Sequence, residues 1–452
     1  MDSIKLPNNY KCKVAIIGLG YVGLPLAVAI AKRRDCHLTK RLLRREVIGY
    51  DINELRINEL LKGLDSNNII KSKDLKKVKN LIFTTKKRTL EDVDVYIVTV
   101  PTPINKNKEP DLTLLKEASK LIGDAIKNSN KKSTNQIIIF ESTVYPGVTE
   151  DICIPIIENS SGIKFNSPEK ETSFYCGYSP ERINPGDDKY SINSIIKVTS
   201  GCNKKVSKWI DKFYGSFINA GTFNVSSIRV AEAAKIIENT QRDINIALIN
   251  ELAILFKKMG INTQEVLDAA DSKWNFQKYL PGLVGGHCIG VDPYYLAFKA
   301  KEIGYETKLI SAGRSINDYM HQYLFEQIIL HTKNRSNNIK TEEVLLLGLS
   351  YKSNTGDVRN SQLVDLVKNI KKREMKITIV DPQVNKEEVF KKTGLVSLSS
   401  IPKNKKYTLI VFALKHKEFN KITKVSLSRI SDSNTIIFDL TNTFSGKGII
   451  NF

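Results

Sequence analysis

Short apolar runs alternate along this chain with longer segments that carry one apolar face, the rhythm of strand followed by helix. Lys13-Val14-Ala15-Ile16-Ile17, then residues 47–51 and 94–100, are too short for helices and rich in β-branched or aromatic side chains. Each reads as a strand buried on both faces of a parallel sheet. Helical spacing places helices over residues 24–32 and 113–127, and residues 136–140 and 174–178 continue the strands. From residue 228 to about 258 the chain holds neither Pro nor Gly. Ile237, Ile244, Leu248, Leu252 and Leu255 form an apolar stripe there, which predicts one long helix of about 45 Å at about 1.5 Å per residue. The rhythm then restarts, with strands over 344–347, 376–380, 407–412 and 435–440 and a helix over 362–371.

The first strand runs into Gly18-Leu19-Gly20-Tyr21-Val22-Gly23 and then into a helix. Strand, GxGxxG, helix is the Rossmann fingerprint for a dinucleotide. The first glycine makes the turn, the second admits the pyrophosphate, and the third lets helix and strand pack closely. Asp51 closes the second strand, where a carboxylate binds the ribose hydroxyls and selects NAD over NADP. A basic segment from Arg33 to Arg45 stretches the spacing from Gly23 to Asp51 beyond the usual ~20 residues, and it reads as an extended surface loop. The expected fold is α/β: an NAD-binding Rossmann domain over 1–215, a long central helix with a helical middle domain over 216–325, and a smaller Rossmann-like domain over 326–452. Ligands of such sheets collect at the carboxyl ends of strands, which brings Thr102 and Thr143 to the cofactor unless they cap helices instead. Glu181 and Arg182 occupy another strand-end loop, either in the site or as a surface ion pair.

Candidate chemistry concentrates in Gly285-Gly286-His287-Cys288-Ile289-Gly290-Val291-Asp292-Pro293. Paired glycines let this backbone turn tightly and approach a ligand. A thiol in that loop, with Asp292 four residues on, is placed like a nucleophile awaiting a carbonyl, against the plainer reading of a small buried apolar cysteine. On the long helix Glu232, Lys235, Asn239 and Arg242 share helical spacing. They form a solvated face with a Glu232–Lys235 pair, or Lys235 and Asn239 point into a cleft. The last α/β segment lacks GxGxxG, so it does not hold a second dinucleotide in the same manner; a nucleotide diphosphate is its natural guest, with Lys352 and Arg359 as cations.

The 452 residues carry a formal charge of +21. That excess favours anionic partners, yet the cations are spread along the chain without a nucleic-acid-binding signature, so no nucleic-acid partner is expected. Six cysteines without CxxC pairs argue against a disulfide framework and against a zinc site, and no metal is expected. No apolar run approaches a membrane span, so neither a membrane nor an export signal is expected, and a reducing cytoplasm fits.

Taken in order, GLGYVGLP (18–25), YDIN (50–53), TVPTP (99–103), ESTVYPG (141–147), SPERINPG (179–186), VAEAAKIIENTQRDINIALINE (230–251), PGLVGGHCIGVDPYYL (281–296) and GLSYKSNTGDVRNS (348–361) resemble the UDP-glucose/GDP-mannose dehydrogenase family over essentially the whole chain. His287 and Ile289 flanking the cysteine look most like the branch acting on UDP-N-acetylhexosamines. The resemblance implies a two-step, NAD-dependent oxidation of a sugar C6 alcohol to a carboxylate, with a UDP-sugar substrate and a homodimer or higher homo-oligomer. Cys288 captures the aldehyde, and Lys235 and Asn239 stabilise the oxyanion. Asp292, through a water held with Thr143, and Glu181 are the candidates for proton transfer and thioester hydrolysis. Glu181, Arg182, Ile183, Lys235, Asn239, Arg242, Gly285 and Lys352 map to substrate contacts. Gly18, Gly20, Tyr21, Val22, Gly23, Asp51, Arg56, Thr102, Thr143 and Arg359 map to cofactor contacts. UDP-N-acetylglucosamine is the best reading, with the mannosamine, galactosamine and glucose counterparts as alternatives and a non-catalytic nucleotide-sugar sensor as the rival of a different class.

Overall fold

The computed structural model describes residues 4–67, 69–130, 135–167, 172–182, 192–333 and 339–451. The chain divides into two compact units, one of Met1–Glu238 with Tyr294–Glu302, the other of Asn239–Pro293 with Ile303–Phe452. The first is built on a parallel six-stranded sheet: β1 (Lys13–Ile17), β2 (Glu46–Tyr50), β3 (Leu81–Thr84), β4 (Val95–Val98), β5 (Gln136–Phe140) and β6 (Phe174–Tyr178). Their order is β3-β2-β1-β4-β5-β6, so the winding reverses between β1 and β4. That reversal opens a crevice at the carboxyl ends of those two strands, the place where such sheets take ligands. β4 and β5 are buried throughout because helices cover both faces, which is why their sequences are apolar without alternation. A separate parallel pair, β7 (Lys197–Thr199) and β8 (Thr222–Asn224), lies beyond the sheet in sequence.

The second unit repeats the winding. Its strands are β9 (Glu343–Leu347), β10 (Lys376–Val380), β11 (Ser397–Leu398), β12 (Tyr407–Phe412), β13 (Ser431–Asp439) and β14 (Ile449–Asn451), in the order β11-β10-β9-β12-β13-β14. The likeness reaches the turn after the first strand. Gly18 and Gly348 take φ of +95° and +94°, and their amides donate to Tyr50 O and Val380 O at the ends of β2 and β10, both at 2.9 Å.

The long helix is continuous from Ile228 to Met259. Gly260, at φ +71°, ends it, and the Ile261 amide folds back onto Phe256 O. Of the apolar stripe, Ile237, Leu248 and Leu255 are exposed by 61%, 52% and 47% and Ile244 and Leu252 are half-buried, while the buried positions include Glu232, Lys235, Thr240, Asp243 and Asn250. Polar side chains occupy the inner face because they have partners to hold there, as Glu232 holds the Gly147 amide, Asp243 holds Arg314 and Asn250 holds Gly282.

Candidate active site

In the first unit the glycine loop is shaped for a dinucleotide. A Cβ on Gly23 would stand 1.9 Å from Gly18 O and 2.4 Å from Thr99 Oγ1, so only glycine lets the helix Gly23–Lys32 meet the loop. Gly20 has nothing within 4 Å of its Cβ position and leaves the rim open to a ligand. Tyr21 and Val22 sit half-buried at the helix start. Asp51 receives the Leu19 amide at 2.8 Å and the Asn53 amide at 2.9 Å, which fixes its carboxylate at the mouth of the loop. Arg56 is buried, donates to Leu19 O at 3.1 Å and pairs with Asp65 at 2.7 Å. It therefore braces the loop, with its guanidinium already engaged. A turn, an open rim and a fixed carboxylate fit NAD.

Thr102 and Thr143 are brought together: Thr102 Oγ1 donates to Thr143 O at 2.7 Å, and Tyr295 OH donates to Thr102 O at 2.7 Å. Thr102 caps no helix; the following helix, Thr113–Lys127, has Leu112 at its cap. The loop after Thr143 is held from the long helix by Glu232, which is fully buried and accepts the Gly147 and Thr149 amides at 2.6 and 3.0 Å. Glu232 is thus no member of a solvated face. Burial pushes its carboxyl up from 4.5 to about 7, against the pull of those two amides.

Glu181 Oε1 accepts the Arg182 backbone amide at 2.7 Å, while the Arg182 guanidinium turns elsewhere. Arg182 pairs with Glu238 at 2.7 Å and donates to Ile196 O at 3.0 Å. Glu181 turns inward to a buried cluster in which Lys197 Nζ lies 2.7 Å from Glu141 and 3.4 Å from Glu181, with Tyr214 donating to Glu141. Burial works against the Lys197 ammonium, but the two carboxylates outweigh it and raise its proton affinity. Lys235 is buried on the long helix, one turn before Asn239. Ile183 lies outside the described residues.

In the second unit Asn239 Nδ2 donates to Asp292 Oδ2 at 2.5 Å, uniting two predicted site residues. Cys288 is exposed, and its carbonyl accepts the Val291 and Asp292 amides at 3.0 and 2.9 Å in the turn that starts the next helix. Upstream, the loop is clamped from the long helix: Asn250 exchanges two hydrogen bonds with Gly282, at 2.8 and 3.0 Å, and holds Asn317 at 2.8 Å. Asn317 and Arg314 both bind Asp243, at 2.7 and 2.5 Å. Gly286, at φ +84°, lies under Tyr351, whose ring would be 2.6 Å from a Cβ there, and Gly285 would meet Asn360 O at 2.7 Å. His287 Nε2 lies 2.7 Å from Asp357 Oδ2, and Arg359 grips the same carboxylate at 2.8 Å. Arg242 is exposed and Lys352 half-buried. A cavity of about 160 Å³ opens at the carboxyl ends of β9 and β12, lined by Gly285, Ser350, Tyr351, Gln362, Ala413 and Leu414.

The position in this sheet that corresponds to Asp51 is Asp381, which accepts the Leu349 amide at 2.7 Å. Here the slot is closed. His416 accepts the Asn354 amide on Nδ1 at 2.9 Å, so its Nε2 carries the proton toward Asp381 at 3.2 Å, and both side chains are wholly buried. With that stopper in place, Asp381 does not present its carboxylate at an open loop as Asp51 does. Sequence reasoning passed over Asp357, Asn250, Lys197 and His416, and used His287 only as a marker of the branch. The only signal available was polar residues inside otherwise apolar or quoted motifs.

A dinucleotide cradle at the switch point of a doubly wound parallel sheet places the chain in the class of nucleotide-dependent dehydrogenases. Comparison with known proteins narrows this class. The UDP-glucose/GDP-mannose dehydrogenase family matches in three parts: its NAD binding domain over residues 12–218, its central domain over 229–319 and its UDP binding domain over 345–446. UDP-N-acetyl-D-glucosamine 6-dehydrogenases of Pseudomonas aeruginosa and Salmonella typhi are each 45% identical over 95% of this chain, and the match spans 96% and 95% of those proteins. The structure of UDP-D-ManNAc dehydrogenase from Pyrococcus horikoshii superposes with a TM-score of 0.82 at 28% identity, over 97% of this chain and 98% of that one. The chain belongs to the UDP-glucose/GDP-mannose dehydrogenase family and is an NAD-dependent nucleotide-sugar dehydrogenase. Among the described residues no helix is long and apolar enough to cross a membrane, and no group of His, Cys, Asp and Glu could hold a metal ion.

Proposed function

We propose that the chain oxidises the C6 hydroxyl of UDP-N-acetylglucosamine to the uronic acid in two steps, supplying a precursor for surface polysaccharide. The substrate reading is supported by the two 45% identical relatives. The observation that carries the chemistry is the exposed Cys288 on a loop braced by Asn250 and Tyr351. NAD in the Gly18–Gly23 cradle supplies the acceptor for the hydride lost in each step. After the first oxidation the Cys288 thiolate adds to the aldehyde carbon, forming a C–S bond, and the thiohemiacetal loses a hydride and its hydroxyl proton to become a thioester. Water then cleaves the C–S bond and returns the thiol. Lys235 and Asn239 stabilise the oxyanions, Asp292 moves protons through a water held with Thr143, and Glu181 assists hydrolysis. Arg182, Ile183, Arg242, Gly285 and Lys352 hold the UDP-sugar. Tyr21, Val22, Asp51, Thr102 and Arg359 hold the cofactor, with Arg56 bracing the loop.

We also propose a homodimer or higher homo-oligomer, in which a second copy covers the outward Ile237, Leu248 and Leu255, and a cytoplasmic setting, in keeping with six cysteines outside any disulfide. The test is NADH release from UDP-glucose, UDP-GlcNAc, UDP-GalNAc and UDP-ManNAc. UDP-GlcNAc should be favoured, with about two NADH per sugar as two sequential oxidations require, and Cys288→Ser should abolish that turnover. Full steady-state activity in Cys288→Ser would refute the covalent role.

A further inference from the structure

We infer that His287 is a positioning residue for the thiol, pinning the cysteine loop to the loop that carries Lys352 and Arg359; this rests on the reading of Cys288 as the nucleophile. Two successive glycines precede His287, so the local backbone has little stiffness of its own. Its order comes from contacts made across to residues 351–362. Asn360 Nδ2 donates to Gly286 O at 3.1 Å, and Gln362 Nε2 donates to Val284 O at 2.8 Å. These two bonds end before the cysteine. Immediately before Cys288 the His287 side chain reaches the opposing loop, through Asp357 at 2.7 Å, with the Tyr351 ring edge-on to the imidazole at 6.0 Å between centroids.

Asp357 is a firm anchor. Its side chain is only 10% exposed, and Arg359 binds it through the backbone amide at 2.9 Å, Nε at 3.1 Å and Nη2 at 2.8 Å. Burial works against its charge, but the bonds from His287 and Arg359 outweigh that and hold the carboxyl well below the usual range. An isolated ion pair on a surface would contribute little. Here four donors converge on one nearly buried carboxylate, so the acceptor that holds the ring next to the cysteine is itself fixed from several directions. The chain of contacts runs Arg359, Asp357, His287 and then the peptide of Cys288. The thiol's placement is thereby tied to the same arginine that the proposed function gives to the cofactor.

The test compares His287→Ala, His287→Gln and Asp357→Asn in the full-length enzyme. Readouts are kcat and KM with UDP-GlcNAc and NAD, melting temperature, and the pH profile of Cys288 alkylation by iodoacetamide, located by peptide mapping. Misplacing a reacting group by about 1 Å costs up to ~100-fold. His287→Ala should therefore lose at least about 30-fold in kcat while KM stays within about threefold, with the alkylation profile displaced. His287→Gln keeps an N–H that can reach Asp357 and should restore most of the loss. Asp357→Asn should fall on the same side as His287→Ala. The inference is overturned if His287→Ala keeps its kcat or loses only in KM. It is also overturned if His287→Gln is as impaired as His287→Ala, which would make the imidazole itself a proton carrier. Should His287→Ala not fold, an unaltered kcat and alkylation profile in Asp357→Asn overturns it alone. Turnover in Cys288→Ser would instead sink the proposed function, because the alkylation profile reports the pin whether or not the thiol is catalytic.

Discussion

Replacing Glu232 by glutamine should change how stability depends on pH, and the structure sets the size of the effect. The folded chain holds the Glu232 proton up to about pH 7, because the carboxyl is sealed from water, whereas the ordinary value is 4.5. The native state thus binds more protons than the unfolded state over that interval, and stability falls as pH rises through it. Its contribution is fully present below pH 4.5 and gone above about pH 7. At about 1.4 kcal/mol per pH unit the gap amounts to about 3 kcal/mol. Glutamine removes this dependence but offers one oxygen to the two amides of Gly147 and Thr149, leaving one of them unpaired at a cost of about 1–3 kcal/mol. Glu232→Gln should accordingly be less stable than the parent near pH 5 and close to it near pH 8. Urea titrations across that range, followed by Trp209, which is buried in the same unit, read the difference directly. Parallel stability curves for parent and variant between pH 5 and 7 would show that Glu232 is ionised in the native state, and the argument from burial would fail.

Gly286→Ala places a methyl group against the Tyr351 ring at a residue with φ of +84°. It should cost about 2 kcal/mol or more in urea unfolding, and adding Tyr351→Ala should recover the steric part while leaving about 1 kcal/mol of backbone strain. A fully stable single variant would mean the loop can move aside. Lys197→Met leaves the Glu141 and Glu181 carboxylates together in a buried site and should destabilise by about 3–5 kcal/mol at neutral pH, the loss shrinking in acid as a carboxylate takes up a proton. Equal stability of variant and parent at pH 8 would contradict this.

What the sequence disclosed follows from how locally each feature is encoded. The strands β1, β5, β6, β10 and β12 and the helix Thr113–Lys127 coincide with their apolar patterns, and for β5 and β6, buried at every position, there is no alternation to confuse. GxGxxG and Asp51 were legible because the turn, the close packing at Gly23 and the carboxylate each need a particular residue type at a fixed spacing. The inner face of the long helix was not legible. Periodicity shows which residues share a face but not which face is buried, and here Glu232 and Asn250 are inside because loops distant in sequence bring amides to them. The same limit hid Lys197, whose two carboxylate partners stand 56 and 16 residues away, and Asp357, paired with a histidine 70 residues upstream.

The stopper formed by His416 has a wider implication. One protein here carries a single scaffold twice, with the same winding and the same bent glycine, yet only one copy presents its acidic residue to a visitor. The other keeps that acid for itself with one imidazole. Two sheets of one winding can therefore part in what they hold when a side chain of the chain itself fills the place a visitor would take.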